Sequence, residues 1–233
     1  MRSAELPPPP AKPDRPPPRI LDGEASIRLH TIDGVHLESL GRLPSHATRA
    51  VILCHPHPLY GGTMSNALIL TLTRMIAEQG SEDLATLRFN FRGVEGSEGR
   101  YDEGHGELLD VKAAIAHVKN TLPHAKLSVV GYSFGSWVGL RAAWTCPEVE
   151  RIALVAPAIR FSEEALDRAE RRPLPTEIVL GDRDSFVDVP EARRLAERLG
   201  ARLHVIDGAD HFFVRQRRLV GTMLLPFVVP EAV

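Results

Sequence analysis

Hydrophobic positions in this chain recur with two different periods, and the two alternate along it. Residues 26–32 and 35–40 alternate apolar and polar positions on either side of Asp33-Gly34, a pair suited to a two-residue turn. That pattern predicts an antiparallel hairpin. Six short apolar or β-branched runs follow, at 50–54, 85–91, 127–130, 151–155, 177–180 and 203–206. Between them lie amphipathic stretches with helical spacing, at 64–79, 105–121, 134–145, 190–199 and 214–227. Strand and helix in this alternation predict right-handed crossovers. The expected architecture is therefore α/β: a mostly parallel central sheet with an antiparallel N-terminal hairpin and helices on both faces.

Residues 1–19 break the pattern. They contain Pro7-Pro8-Pro9-Pro10 and Pro16-Pro17-Pro18. Proline fixes φ and lacks an N–H, so this stretch is expected to form an extended, disordered and passive tail. One domain is expected over 20–233. The composition is 43% hydrophobic and 25% charged, with a formal net charge of -2 and a pI near 6.6. That balance argues against a nucleic-acid surface or a basic membrane patch. No run approaches a membrane-spanning length, and the first residues lack the apolar segment of a secretory signal, so a cytoplasmic protein is expected. The two cysteines, Cys54 and Cys146, show neither a disulfide framework nor metal-ligand spacing. Both are expected to be reduced, buried thiols. Cys54 sits inside an apolar strand run, which disfavours it as a nucleophile despite its neighbour His55.

In open parallel sheets, chemistry gathers in the loops at the carboxyl ends of the strands. Those loops hold the unusual residues of this sequence: His55-Pro56-His57-Pro58, Arg92-Gly93, Ser133, Asp184 and His211. Gly131-Tyr132-Ser133-Phe134-Gly135 is a G-x-S-x-G pattern between the 127–130 run and a helical pattern. A serine presented on a sharp strand-to-helix turn needs that context, with glycines where side chains would clash. Chance alone produces the five-residue pattern in roughly one chain in ten of this length. The placement between strand and helix is therefore what gives it weight.

A serine hydroxyl is a poor nucleophile at neutral pH. It needs a histidine to take its proton and a carboxylate to orient that histidine. His211 follows the last strand run with loop-like flanks, whereas His204 falls inside that run and reads as structural. The loop after 177–180 offers Asp182, Asp184 and Asp188. Asp184 is the expected acid. Asp182 directly follows the strand glycine and is expected to bond backbone or Arg183. Asp188 precedes Pro190 and reads as a helix cap. Asp207 and Asp210 read as turn formers.

Together these residues resemble the α/β-hydrolase superfamily over roughly residues 25–230. Gly131-Tyr132-Ser133-Phe134-Gly135 is similar to its nucleophile motif, Gly181-x-x-Asp184-x-x-Val187 to its acid loop, and Asp210-His211-Phe212-Phe213 to its histidine loop. The run from His55 to Asn66 and the run from Phe89 to Ser97 resemble small, lidless bacterial hydrolases related to dienelactone hydrolases. Dienelactone hydrolases proper carry cysteine at the turn where this chain has Ser133. The resemblance implies two backbone N–H groups facing the developing oxyanion. One is expected from Phe134. The other is expected from the loop after 50–54, where Pro56 and Pro58 cannot donate and His57 and Tyr60 rank highest. His55 and His57 could be read as a metal pair, but extended backbone would point them apart, so no metal is expected. The segment 156–176 is charged and has room for one short helix, so no substantial lid is expected. The expected function is hydrolysis of a small carboxylic ester or thioester through an acyl-serine, with no cofactor. The alternatives are a peptidase or amidase on the same triad, and a non-catalytic binding protein that kept the fold.

Overall fold

In the computed structural model, residues 18–79, 83–158 and 173–229 are described. The proline-rich residues and the centre of the 156–176 segment lie outside them. Eight strands form one sheet in the order β1-β2-β4-β3-β5-β6-β7-β8. They are β1 (Ala25–His30), β2 (His36–Arg42), β3 (Arg49–Cys54), β4 (Leu84–Phe89), β5 (Lys126–Tyr132), β6 (Val149–Val155), β7 (Thr176–Gly181) and β8 (Arg202–Ile206). β1 pairs antiparallel with β2, and β2 antiparallel with β4; every other pairing is parallel. The helices among the described residues are α1 (Ala67–Ala77), α2 (His105–Thr121), α3 (Phe134–Thr145), α4 (Val189–Leu199) and α5 (Arg217–Val228).

The period-two pattern of each strand decides which helices it meets. In β3, Ala50, Ile52 and Cys54 face the core built with α2 and α3, while Val51 and Leu53 face the core built with α1 and α5. Register then aligns the carboxyl ends. Cys54 stands opposite both Phe89 and Gly131, Tyr132 opposite Val155, and Gly181 opposite Ile206. The loops that leave these residues therefore emerge along one edge of the sheet. Among the described residues the fold carries no large lid, and the connection from β6 to β7 spans residues 156–175.

Several element boundaries differ from the sequence reading, each for a local reason. Thr31 N–H donates to Val35 O (3.0 Å), so the hairpin tip holds Ile32, Asp33 and Gly34 rather than two residues. β4 stops at Phe89 rather than continuing to 91, because the Phe91 N–H leaves the ladder and donates to His55 Nε2 (3.0 Å). α1 starts at Ala67, not 64, because Asn66 caps it by accepting from Leu68 N–H (2.9 Å). β5 runs through Gly131 and Tyr132, so the strand delivers the chain directly to Ser133. Within the sheet, Arg88 on β4 is fully buried and forms an ion pair with Glu24 (2.6 Å). Arg88 also donates to Arg19 O, holding the chain to the sheet where the proline-rich run ends. Cys54 is fully buried as expected, whereas Cys146 is only half-buried because it caps the exposed end of α3.

Candidate active site

Ser133 occupies the single-residue turn between β5 and α3, at φ 52° and ψ -114°. A non-glycine residue in that region costs about 1–3 kcal/mol and persists only when its surroundings over-determine it. They do so here. Ser133 N–H donates to Val155 O (2.8 Å), and its carbonyl accepts from Ser136 N–H (3.0 Å) and Ala158 N–H (3.3 Å). The flanking glycines are sterically required. A Cβ on Gly131 would lie 2.3 Å from Ser136 Cα, and one on Gly135 would lie 2.4 Å from Cys54 O and 2.6 Å from His55 O. The turn therefore presses against the end of β3.

The structure brings Ser133, His211 and Asp184 together. His211 Nε2 lies 3.1 Å from Ser133 Oγ, and His211 Nδ1 lies 2.7 Å from Asp184 Oδ2. The Asp184 side chain is fully buried, and its Oδ1 accepts from the N–H groups of Phe186 (2.8 Å) and Val187 (3.1 Å). A carboxylate that accepts from three partners has one arrangement available to it. It accepts a hydrogen bond from Nδ1–H, which leaves the Nε2 lone pair facing the Ser133 hydroxyl. From the other side, Tyr132 Oη–H donates to His211 O (2.9 Å). Burial and the nearby Asp184 and Asp210 carboxylates push the Tyr132 hydroxyl above the usual phenol range, so it stays a donor.

The other acids of these loops have different partners. Asp182 Oδ1 accepts from Gly208 N–H (2.7 Å), Asp188 caps α4 by accepting from Glu191 N–H (2.6 Å), and Asp210 Oδ1 accepts from Phe212 N–H (3.1 Å). Asp182 straps the acid loop to the histidine loop. Gly181 makes room for that approach, since a Cβ there would lie 2.2 Å from Ala209 O. His204 pairs with Glu177 (2.9 Å) within the sheet.

Phe134 is the first residue of α3, so its N–H has no acceptor within the helix. Across from it, the loop after β3 folds into a short turn over Pro58–Tyr60. There Tyr60 N–H donates to His57 O (3.1 Å) and Leu59 N–H to His57 Nδ1 (3.2 Å). The Tyr60 N–H anticipated as a possible oxyanion donor is thus committed to the loop's own turn. The His57 ring packs 4.9 Å from Phe134 and 5.0 Å from Tyr101, which puts this loop beside the start of α3. His55 does not join it there. Its Nδ1 donates to Pro56 O (2.6 Å) and its Nε2 accepts from Phe91 N–H, so both ring nitrogens serve the scaffold.

Three supports were not read from the sequence as site residues. Asn90 accepts from Met64 N–H (2.8 Å) and donates to Glu38 (2.6 Å), tying the loops after β3 and β4 to the hairpin. Arg92 bridges Asp110 on α2 (2.8 Å) and Asp33 at the hairpin tip (2.9 Å). Its guanidinium holds the Asp33 carboxyl down to about 2, while burial pushes Asp110 up to about 6. Tyr132 was visible only as the variable position of the motif, and its hydroxyl has no sequence signal.

A sheet of this order with a strained serine between β5 and α3 defines an α/β-hydrolase architecture. The profile of the alpha/beta hydrolase family matches residues 51–177, and the chain belongs to that family. It is 32% identical over 171 residues to the uncharacterized protein RP471 of Rickettsia prowazekii (strain Madrid E), covering 70% of this chain and 71% of that one. It is similar to an alpha-beta serine hydrolase homologue from Coxiella burnetii (TM-score 0.76, 32% identity, 86% of this chain and 95% of that one). It is also similar to XC6422 from Xanthomonas campestris, a serine hydrolase without lid (TM-score 0.77, 28% identity, 93% of this chain and 100% of that one). Among the described residues, no helix is long and apolar enough to cross a membrane.

Proposed function

We propose that this protein is a serine hydrolase that cleaves a small carboxylic ester or thioester through an acyl-Ser133 intermediate. The observation that carries the reading is the unbroken chain from Ser133 Oγ to His211 Nε2 (3.1 Å) and from His211 Nδ1 to Asp184 Oδ2 (2.7 Å). The likeness to the serine hydrolase homologue of Coxiella burnetii and to the serine hydrolase of Xanthomonas campestris supports it.

The Ser133 oxygen attacks the carbonyl carbon while His211 Nε2 takes the hydroxyl proton. Asp184 stabilises the resulting imidazolium and keeps its tautomer. The carbonyl oxygen becomes an oxyanion facing the Phe134 N–H, with a second N–H drawn from the loop after β3 that carries His57 beside Phe134. Collapse of the intermediate breaks the bond to the leaving oxygen or sulfur, which departs with the proton from His211. Water then attacks the acyl carbon and gives its proton to His211. Collapse returns that proton to Ser133 and releases the acid. Ser133 is only half-buried, which favours substrates that reach it directly from solvent.

The test is turnover of a short p-nitrophenyl ester. The wild type is expected to hydrolyse it, and His211→Ala to be slower by roughly 10³-fold or more. Equal rates for the two proteins would overturn the proposal.

A further inference from the structure

Aromatic side chains cluster around Phe134, the neighbour of Ser133, and around His211, which lies against its hydroxyl, and the proposed reaction gives the two clusters different duties. On one side His57, Tyr101 and Trp137 pack around Phe134, with ring centroids 4.9, 5.9 and 5.7 Å away. On the other, the Phe186 ring lies 4.6 Å from the His211 ring and Phe212 lies 5.5 Å from it. Phe186 and Phe212 meet edge to face at 6.4 Å and 88°. Core packing does not account for this pair. Phe186 is 68% exposed and Phe212 56%, while the adjacent Phe213 is fully buried and serves the core under α5. In a chain with only 6% aromatic residues, two exposed phenylalanines against one imidazole form an apolar surface with a location to explain.

We infer that Phe186 and Phe212 form a platform for the leaving group, and that the preferred substrates are esters or thioesters of flat, apolar alcohols or thiols. The inference rests on the acyl-Ser133 reading above. The leaving atom takes its proton from His211 Nε2, so it must come within about 3 Å of that nitrogen. Whatever is bonded to the leaving atom therefore extends along the His211 side. The exposed rings there are Phe186 and Phe212. The acyl group stays bonded to Ser133 Oγ with its carbonyl oxygen toward Phe134 N–H, on the side of His57 and Tyr101. Aromatic rings gain most from edge-to-face or offset stacking at about 4.5–7 Å, and the two phenylalanines offer one edge and one face. The platform can also be removed without cutting the catalytic hydrogen bonds, because Phe186 holds Asp184 through its backbone N–H.

The experiment compares matched esters that differ only in the ring. Benzyl acetate and methyl acetate share an acyl group, and their alcohols have nearly equal acidity. For the wild type, kcat/KM is expected to favour the benzyl ester by about tenfold or more. In the Phe186→Ala/Phe212→Ala double variant that ratio is expected to fall to near parity. Because the ratio is taken within each protein, a general loss of activity cancels. A second pair, methyl phenylacetate and methyl acetate, places the ring on the acyl side, and its ratio is expected to be the same in both proteins. An absent benzyl preference, a preference the variant retains, or a loss confined to the acyl pair would each overturn the platform. Labelling of wild-type Ser133 by a small fluorophosphonate separates the two levels. With labelling intact, those results remove the platform and leave the hydrolase; without labelling, both fall.

Discussion

His55 ties the loop that carries His57 to the loop that carries Tyr101, and its burial makes that tie sensitive to acid. The ring is fully enclosed, with Nδ1 donating to Pro56 O and Nε2 accepting from Phe91 N–H. A proton on Nε2 would face that N–H with another. Burial accordingly depresses His55 from its ordinary 6.5 to about 3. The unfolded chain takes up this proton below about pH 6.5, and the folded chain does not until about pH 3. The stabilisation is therefore complete above the unfolded value and is lost as pH falls through that window, at about 1.4 kcal/mol per pH unit. Between about pH 6.5 and pH 5 the site alone should cost about 2 kcal/mol of folding stability. Urea unfolding of the wild type and of His55→Asn at several pH values isolates the effect, since asparagine does not titrate and the other histidines are common to both. Near pH 7.5 the wild type should be more stable by about 1–3 kcal/mol, because the substitution disturbs a buried acceptor. That advantage should shrink by about 2 kcal/mol near pH 5. Stability curves that run parallel from pH 7.5 to pH 5 would refute the reasoning.

Three other substitutions test the site from different directions. Asp184→Asn removes the charge and the acceptor that fix the His211 tautomer, so ester turnover should fall by roughly 10³-fold or more while the unfolding midpoint moves far less; near-normal kcat would reassign the acid. Gly135→Ala sets a Cβ 2.4 Å from Cys54 O, and neither backbone can retreat, so it should cost about 1–3 kcal/mol of stability and reduce labelling at Ser133; wild-type values for both would show that the turn is not close-packed. Tyr132→Phe leaves His211 O without its donor, so stability should drop by about 1–3 kcal/mol, read by thermal unfolding, and kcat should fall with it; an unchanged kcat would show that the histidine loop holds itself in place.

Much of this architecture was legible in the chain. The alternation of β-branched runs with helical stretches set the parallel sheet, and the glycines around Ser133 set the turn, because both follow from local geometry. Of Asp182, Asp184 and Asp188, Asp184 is the one whose carboxylate lies within hydrogen-bond distance of His211, and the likeness of its loop to the family's acid loop singled it out. What the pattern did not carry are contacts between segments distant in sequence. Arg92 joins Asp33 and Asp110, His55 captures Phe91, and Tyr132 reaches His211 O. Each depends on which strands become neighbours, and the order β2-β4-β3-β5 has no local signature. The hydrogen bond from Tyr60 N–H to His57 O was not legible for a similar reason. Two prolines close that loop into a turn that consumes its own donors.

The central claim is that Ser133 is the nucleophile, and a covalent label tests it most directly. The wild-type protein treated with a small fluorophosphonate should gain the mass of one adduct, and peptide mapping should place it on Ser133. Ser133→Ala should gain none, while Ser136→Ala, which keeps Ser133 and alters only a hydroxyl bonded to its carbonyl, should still be modified at Ser133. An adduct that persists on Ser133→Ala, or one that maps to another residue of the wild type, would contradict the account.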